Sequence, residues 1–257
     1  MKVTIKGELK PPCTAKELTL ACLQRLGASG ALGQAVEFCG PAVEALDLPG
    51  RITLASMMTE MGGIIGLIPP SEEVLAYCRE RTGRDDLAAT YADPDARYTK
   101  EIEIDIDGME PLIACPPKPD NVKPVGAVAG TRVDSVFIGS CTNGRYEDFA
   151  AVAEIVKGNR IAPGMVASAV PATREVYGQM LQGGVLQSLF DAGFVVSNPG
   201  CGGCASGHIG MVGKGQVQVS TSNRNFAGKQ GPGDNYLASP TVAAWAALTG
   251  EITVPEA

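Results

Sequence analysis

Eight cysteines are spread over 257 residues, and three of them stand apart. Cys141 lies in GSCTNGR, and Cys201 and Cys204 lie in NPGCGGC, all in turns rich in glycine and asparagine. The C-x-x-C spacing lets two sulfurs reach one centre. Gly200, Gly202 and Gly203 let the backbone come close and offer N–H donors to sulfur. A cubane iron–sulfur cluster that only carries electrons takes four cysteines; with three, one iron keeps an open position and can act as a Lewis acid on a hydroxyl and a carboxylate. Zinc is the competing reading, because Cys201-x-x-Cys204-x-x-x-His208 with Cys141 would make a closed site of three thiolates and the only histidine. A redox C-x-x-C pair leaves the third cysteine and the glycines unexplained. Cys13, Cys22, Cys39, Cys78 and Cys115 sit singly among apolar residues or beside prolines and read as packing residues.

Elements that position these loops follow from periodicity. In the first part, 2–9 alternates as a strand, and Thr14 with Glu17 forms a capping box for a helix through Leu26. Residues 50–61 read as a helix, 64–68 as a short apolar run stopped by Pro69-Pro70, and Ser71 caps a helix through Arg81. Residues 98–107 alternate as an edge strand. A stretch with five prolines between 111 and 124 predicts a linker. The division expected is therefore an α/β subdomain over 1–115, a Pro-rich linker over 116–130 and a second α/β subdomain over 131–257. In the second part, strands at 133–138, 166–170, 194–197 and 217–221 alternate with helices at 146–157, 173–190 and 239–248, the last with Pro240 in its first turn. That alternation predicts a mainly parallel sheet with helices on its faces. Ligands collect where the strands of such sheets end, and the loops 139–145, 198–207 and 222–231 all follow predicted strands.

Bulk properties narrow the class. The chain is 45% hydrophobic with formal net charge −7 and no basic run, which argues against nucleic acid. No apolar stretch reaches the roughly 20 residues a membrane-crossing helix needs, and MKVTIKGELK lacks the apolar core of a signal peptide. A reducing cytoplasm is expected, with the cysteines as thiols or metal ligands.

VFIGSCTNGR (136–145), NPGCGGC (198–204) and STSNRNFAGKQG (220–231), in that order, resemble the aconitase and 3-isopropylmalate dehydratase large subunits. RITLASMMTEMGG (51–63), VPATREVY (170–177) and LASPTVAAWAALTGEI (237–252) extend the resemblance over essentially the whole chain. It implies an aconitase-type fold of three-layer α/β/α subdomains. It implies a [4Fe–4S] cluster held by Cys141, Cys201 and Cys204, with Asn223 and Arg224 beside cluster and substrate and Glu60 near the open iron. Arg224 and Lys229 would bind substrate carboxylates. Without the resemblance, Glu60 reads as a solvent-facing acid on an apolar helix, and Asn223 and Arg224 as turn and surface residues.

The implied activity is that of a hydro-lyase acting on a hydroxy di- or tricarboxylic acid. 3-Isopropylmalate, and hence leucine biosynthesis, is favoured over homocitrate, citrate or dimethylmalate. The alternative is an inactive relative that binds a cluster or zinc. The chain departs from the family at Lys229, where arginine is usual and a bidentate fork is lost, at Ser56, where asparagine is frequent, and at Gly203, where proline is common. The family's histidine-bearing first region has no counterpart here. A small-subunit (swivelling-domain) homologue and a separate chain supplying an N-terminal subdomain are therefore expected as partners, with apolar surface exposed in the isolated chain.

Overall fold

A computed structural model describes residues 1–255. Its first sheet has four strands in the order β3-β2-β1-β4, all parallel: β1 (Lys2–Lys6), β2 (Ala35–Cys39), β3 (Ile65–Leu67) and β4 (Glu101–Asp105). Alternation in β1 sends Val3 and Ile5 into the core. The helices of this half are α1 (Ala15–Leu26), α2 (Pro41–Glu44), α3 (Leu48–Ser56) and α4 (Glu72–Thr82). The expected capping box starts α1, with Glu17 Oε2 accepting from Thr14 N at 2.7 Å. Residues 50–61 do not form one helix. α3 tightens at Met57–Met61 into a 3-10 turn that ends on left-handed Gly62, whose φ is 83°.

The second sheet has seven strands in the order β6-β5-β11-β10-β7-β8-β9. They are β5 (Leu112–Ala114), β6 (Val122–Pro124), β7 (Ser135–Gly139), β8 (Val166–Val170), β9 (Val195–Val196), β10 (Val217–Ser220) and β11 (Asp234–Leu237). From β11 to β9 the pairing is parallel. Strands β5 and β6 form an antiparallel hairpin on β11. The Pro-rich stretch expected as a linker thus carries the outermost strand of the second sheet. Pro124 is tolerated there because an edge strand leaves a backbone position that needs no N–H. With β5 already in the second sheet, we propose that the boundary between subdomains lies at 106–111.

Helices α5 (Tyr146–Val156), α6 (Arg174–Gln182), α7 (Val185–Ala192) and α8 (Pro240–Thr249) accompany this sheet. The single helix expected over 173–190 is broken at Gly183-Gly184. Gly184 takes φ 72°, and a Cβ on Gly183 would meet the Tyr146 hydroxyl at 2.4 Å. Ser239 caps α8 by accepting from Val242 N, with Pro240 in the first turn as expected.

The α/β class with mainly parallel sheets is what the chain adopts. One core lies against the second sheet. The other lies around α1 and takes in Leu112, Ala114, Val122 and Leu237 from the hairpin side of that sheet. Helix α1 is therefore enclosed between the two sheets, which is why Lys16 and Glu17 are fully buried. Apolar side chains are exposed in both halves, Leu32 and Ile64 at 72% and Phe190 at 70%. No helix among the described residues is long and apolar enough to cross a membrane.

Candidate active site

Three loops leave the carboxyl ends of β7, β9 and β10, strands of one parallel array, and so come out on the same edge of the sheet. The first begins at Gly139, with φ 131°, where a Cβ would fall 2.1 Å from Val170 O. Ser140 follows at φ 86°, the one non-glycine residue with positive φ among those described, and Cys141 is next and exposed. Left-handed backbone at a serine costs energy and persists where surrounding structure fixes it. Here Thr221 Oγ1 fixes it by accepting from Gly139 N at 2.8 Å and donating to Gly139 O at 3.1 Å.

The second loop carries Cys201 and Cys204 around a short 3-10 turn. Its glycines are required by space. A Cβ on Gly202, at φ 53°, would lie 2.5 Å from the Phe137 ring; on Gly203 it would lie 2.5 Å from Gly210 O. Proline at 203 would meet the same carbonyl, so the departure from the family pattern suits this packing. Lys229 Nζ donates to Cys204 O at 2.9 Å, so the ammonium expected on a substrate carboxylate braces the cysteine loop.

The third loop carries Asn223 and Arg224. Beneath it Gln230 accepts from Ser222 Oγ at 2.6 Å and Asn235 Nδ2 at 2.9 Å and donates to Gly210 O at 3.0 Å. One buried amide thereby joins the second and third loops. Arg224 reaches across to the first half, its Nε donating to Glu60 Oε1 at 2.6 Å. Glu60 is 4% exposed, so reading it as a solvent-facing acid is corrected. It lies on the same side as buried Thr53 and Met57, seven and three residues earlier. Arg224 is the partly exposed partner, and its guanidinium is raised above its ordinary range first by the Glu60 hydrogen bond, then by the Glu60, Cys204 and Cys141 charges. Asn223 Oδ1 is buried with no partner, a free acceptor beside these groups.

The three thiols share this neighbourhood. The Cys201 thiol is raised by burial first, then by Cys141 as a neighbouring charge and hydrogen-bond partner, and by Cys204. His208 is exposed, and among the described residues no group of three or more His, Cys, Asp or Glu side chains is drawn together as a ready single-ion site. Three neighbouring thiols on glycine loops are the donor set of a sulfur-ligated centre, so their chemistry fits a [4Fe–4S] cluster. Of the five single cysteines, Cys13, Cys22 and Cys115 are buried, and Cys39 and Cys78 are partly exposed. Burial pushes Cys13 and Cys22 up to about 12 and raises Cys115 as well.

Reading the sequence missed Lys16, Asp148, Thr221 and Gln230. Lys16 had a signal. It shares the spacing i, i+4, i+7 with Leu20 and Leu23, and all three are fully buried. Asp148, raised to about 6 by desolvation, accepts from Arg145 N at 3.0 Å and Asn143 Nδ2 at 3.4 Å and steadies the start of α5 behind Cys141. Asn143 Nδ2 also donates to Thr53 Oγ1 at 3.3 Å, and Arg145 Nη2 to Cys141 O at 3.3 Å, so both shape the first loop.

The profile of the aconitase family (aconitate hydratase) matches residues 1–131 and 126–250. This chain belongs to the aconitase family. It is 44% identical over 255 residues to a probable methanogen homoaconitase large subunit of Methanosarcina mazei, covering 99% of this chain and 64% of that protein. It is 43% identical over 256 residues to 3-isopropylmalate dehydratase large subunit 1 of Methanopyrus kandleri, covering 99% of this chain and 61% of that one. The chain thus spans a little over three-fifths of the length of these curated family members. Among solved structures, Thermococcus kodakaraensis aconitase X covers 88% of this chain and 48% of its own at TM-score 0.45 and 11% identity, too distant to carry an argument.

Proposed function

We propose that this chain is the cluster-bearing component of a hydro-lyase that dehydrates and rehydrates a hydroxy di- or tricarboxylic acid, with 3-isopropylmalate as the favoured substrate and leucine biosynthesis as the setting. The observation that carries this reading is the meeting of three thiols on two strand-end loops with the Arg224–Glu60 pair, whose arginine lies on a third. Cys141, Cys201 and Cys204 would hold a [4Fe–4S] cluster. When bound, that cluster supplies Lewis acidity at the iron that has no protein ligand.

The chain's own residues supply binding and proton handling. Arg224 presents guanidinium donors suited to a carboxylate, and its Nε bond to Glu60 fixes the plane in which they lie. Glu60 sits buried beside Arg224 with Oε1 engaged, and its Oε2 would exchange a proton with a substrate oxygen held there. Asn223 Oδ1 is an acceptor for a substrate hydroxyl. Lys229, engaged on Cys204 O, adds positive charge to the loop. Dehydration removes a proton and a hydroxyl as one water. The base that takes the carbon-bound proton would come from a partner, a small-subunit (swivelling-domain) homologue, and a separate chain equivalent to the N-terminal subdomain would complete the pocket. The setting is the cytoplasm, where thiols stay reduced.

Homocitrate is the second reading, supported by the 44% identity to a chain named as a homoaconitase large subunit. Anaerobic reconstitution should give about four Fe and four sulfides per chain. Cys141→Ser, Cys201→Ser or Cys204→Ser should each remove both; unchanged iron in these variants, or zinc in place of iron, sinks the proposal. Mixing the loaded chain with its partner subunits and comparing turnover of 3-isopropylmalate and homocitrate chooses the substrate.

A further inference from the structure

Lys16 is fully buried, yet no carboxylate among the described residues is hydrogen-bonded to its ammonium. Nζ donates to Ser222 O at 2.9 Å, Thr221 O at 3.1 Å and Met57 Sδ at 3.3 Å. Those carbonyls are the last two before Asn223 and Arg224, and Met57 opens the 3-10 turn that carries Glu60. One ammonium therefore ties the loop bearing the arginine to the turn bearing the glutamate, from a helix that belongs to neither. The arrangement is costly. Burial lowers the Lys16 ammonium to about 8 against the pull of Asp148 on α5, Glu17 on α1, Glu60 on the 3-10 turn and Cys141 on the first loop. A methionine would pack in the same space with no charge to desolvate, but would leave two buried carbonyls without their donor.

We propose that Lys16 is a positioning residue, whose ammonium holds the Thr221 and Ser222 carbonyls so that Arg224 meets Glu60 beside the thiols. It touches neither substrate nor cluster and acts through Arg224. This rests on the reading that Arg224 and Glu60 face substrate, but the geometry it asserts can be tested without turnover.

The test uses the full chain carrying Lys16→Met and, in parallel, Lys16→Gln, which keeps a shorter N–H donor. Hydrogen exchange by mass spectrometry reads the amides of 222–225 against the rest of the chain. The Met variant should speed exchange there by about tenfold or more, with Gln between it and the parent and protection elsewhere unchanged. Iron and sulfide per chain after reconstitution should equal the parent's, while KM for the hydroxy acid rises by about tenfold in the mixed-subunit assay. Unchanged exchange at 222–225 overturns the proposal. So does faster exchange spread over the whole chain, or failure of both variants to fold, since the lysine would then hold the seam between the sheets and not this loop. If the parent itself turns over no hydroxy acid, the functional reading fails, and exchange alone still decides the role of Lys16.

Discussion

The two parallel sheets end differently. In the second, the strands β7, β9 and β10 run out into glycine loops that carry every thiol of the site and Arg224. In the first, no strand end carries a site residue. Its contribution comes from the helical side, through Glu60 on a 3-10 turn and Lys16 on α1. The difference fits the proposed division of labour, in which one half would hold the cluster and the other would orient Arg224. Strand-end loops can spread several ligands around a large centre, whereas a tight helical turn fixes one side chain at one angle.

The largest expected effect breaks the comparison most directly. Serine at any of the three cysteines should cost the second half its iron entirely, whereas Glu60→Gln in the first half should leave iron content intact and lower kcat by about 10²–10³-fold. Iron lost from Glu60→Gln would erase the division. Next, Gly202→Ala drives a Cβ toward the Phe137 ring at 2.5 Å and strains a φ of 53°. A loss of about 1–3 kcal/mol is expected in a urea titration, with lower iron occupancy, and an equal-stability variant would show that the loop has room to spare.

The smallest effect concerns Asp148. Its folded pKa of about 6 lies above its unfolded value, so the protonated carboxyl is the form the fold favours. Its contribution to stability is full below about pH 4 and is lost as pH rises through about 6. Asp148→Asn should flatten that part of the stability profile relative to the parent; an unchanged slope would place the titration elsewhere.

Much of the second half was legible because its signals are local. The buried runs at β7 and β8, the Ser239-Pro240 helix start and the cysteine loops each lie within a few residues of one another. The strands β2 and β11 gave no sequence expectation, and 173–190 read as one helix because its periodicity continues across Gly183-Gly184. The hairpin of β5 and β6 read as a linker because prolines suit a loop and a sheet edge equally well.

Residue types and spacing alone set out the loop thiols, the glycines that free their backbone, and the alternation that makes parallel sheets, since each depends on neighbours along the chain. Which face Glu60 shows, where Lys229 points and why a lysine lies in the core depend on partners 25 to 206 positions away. Such pairings are decided only when α1 is enclosed between two sheets and burial makes every unmet charge or carbonyl costly.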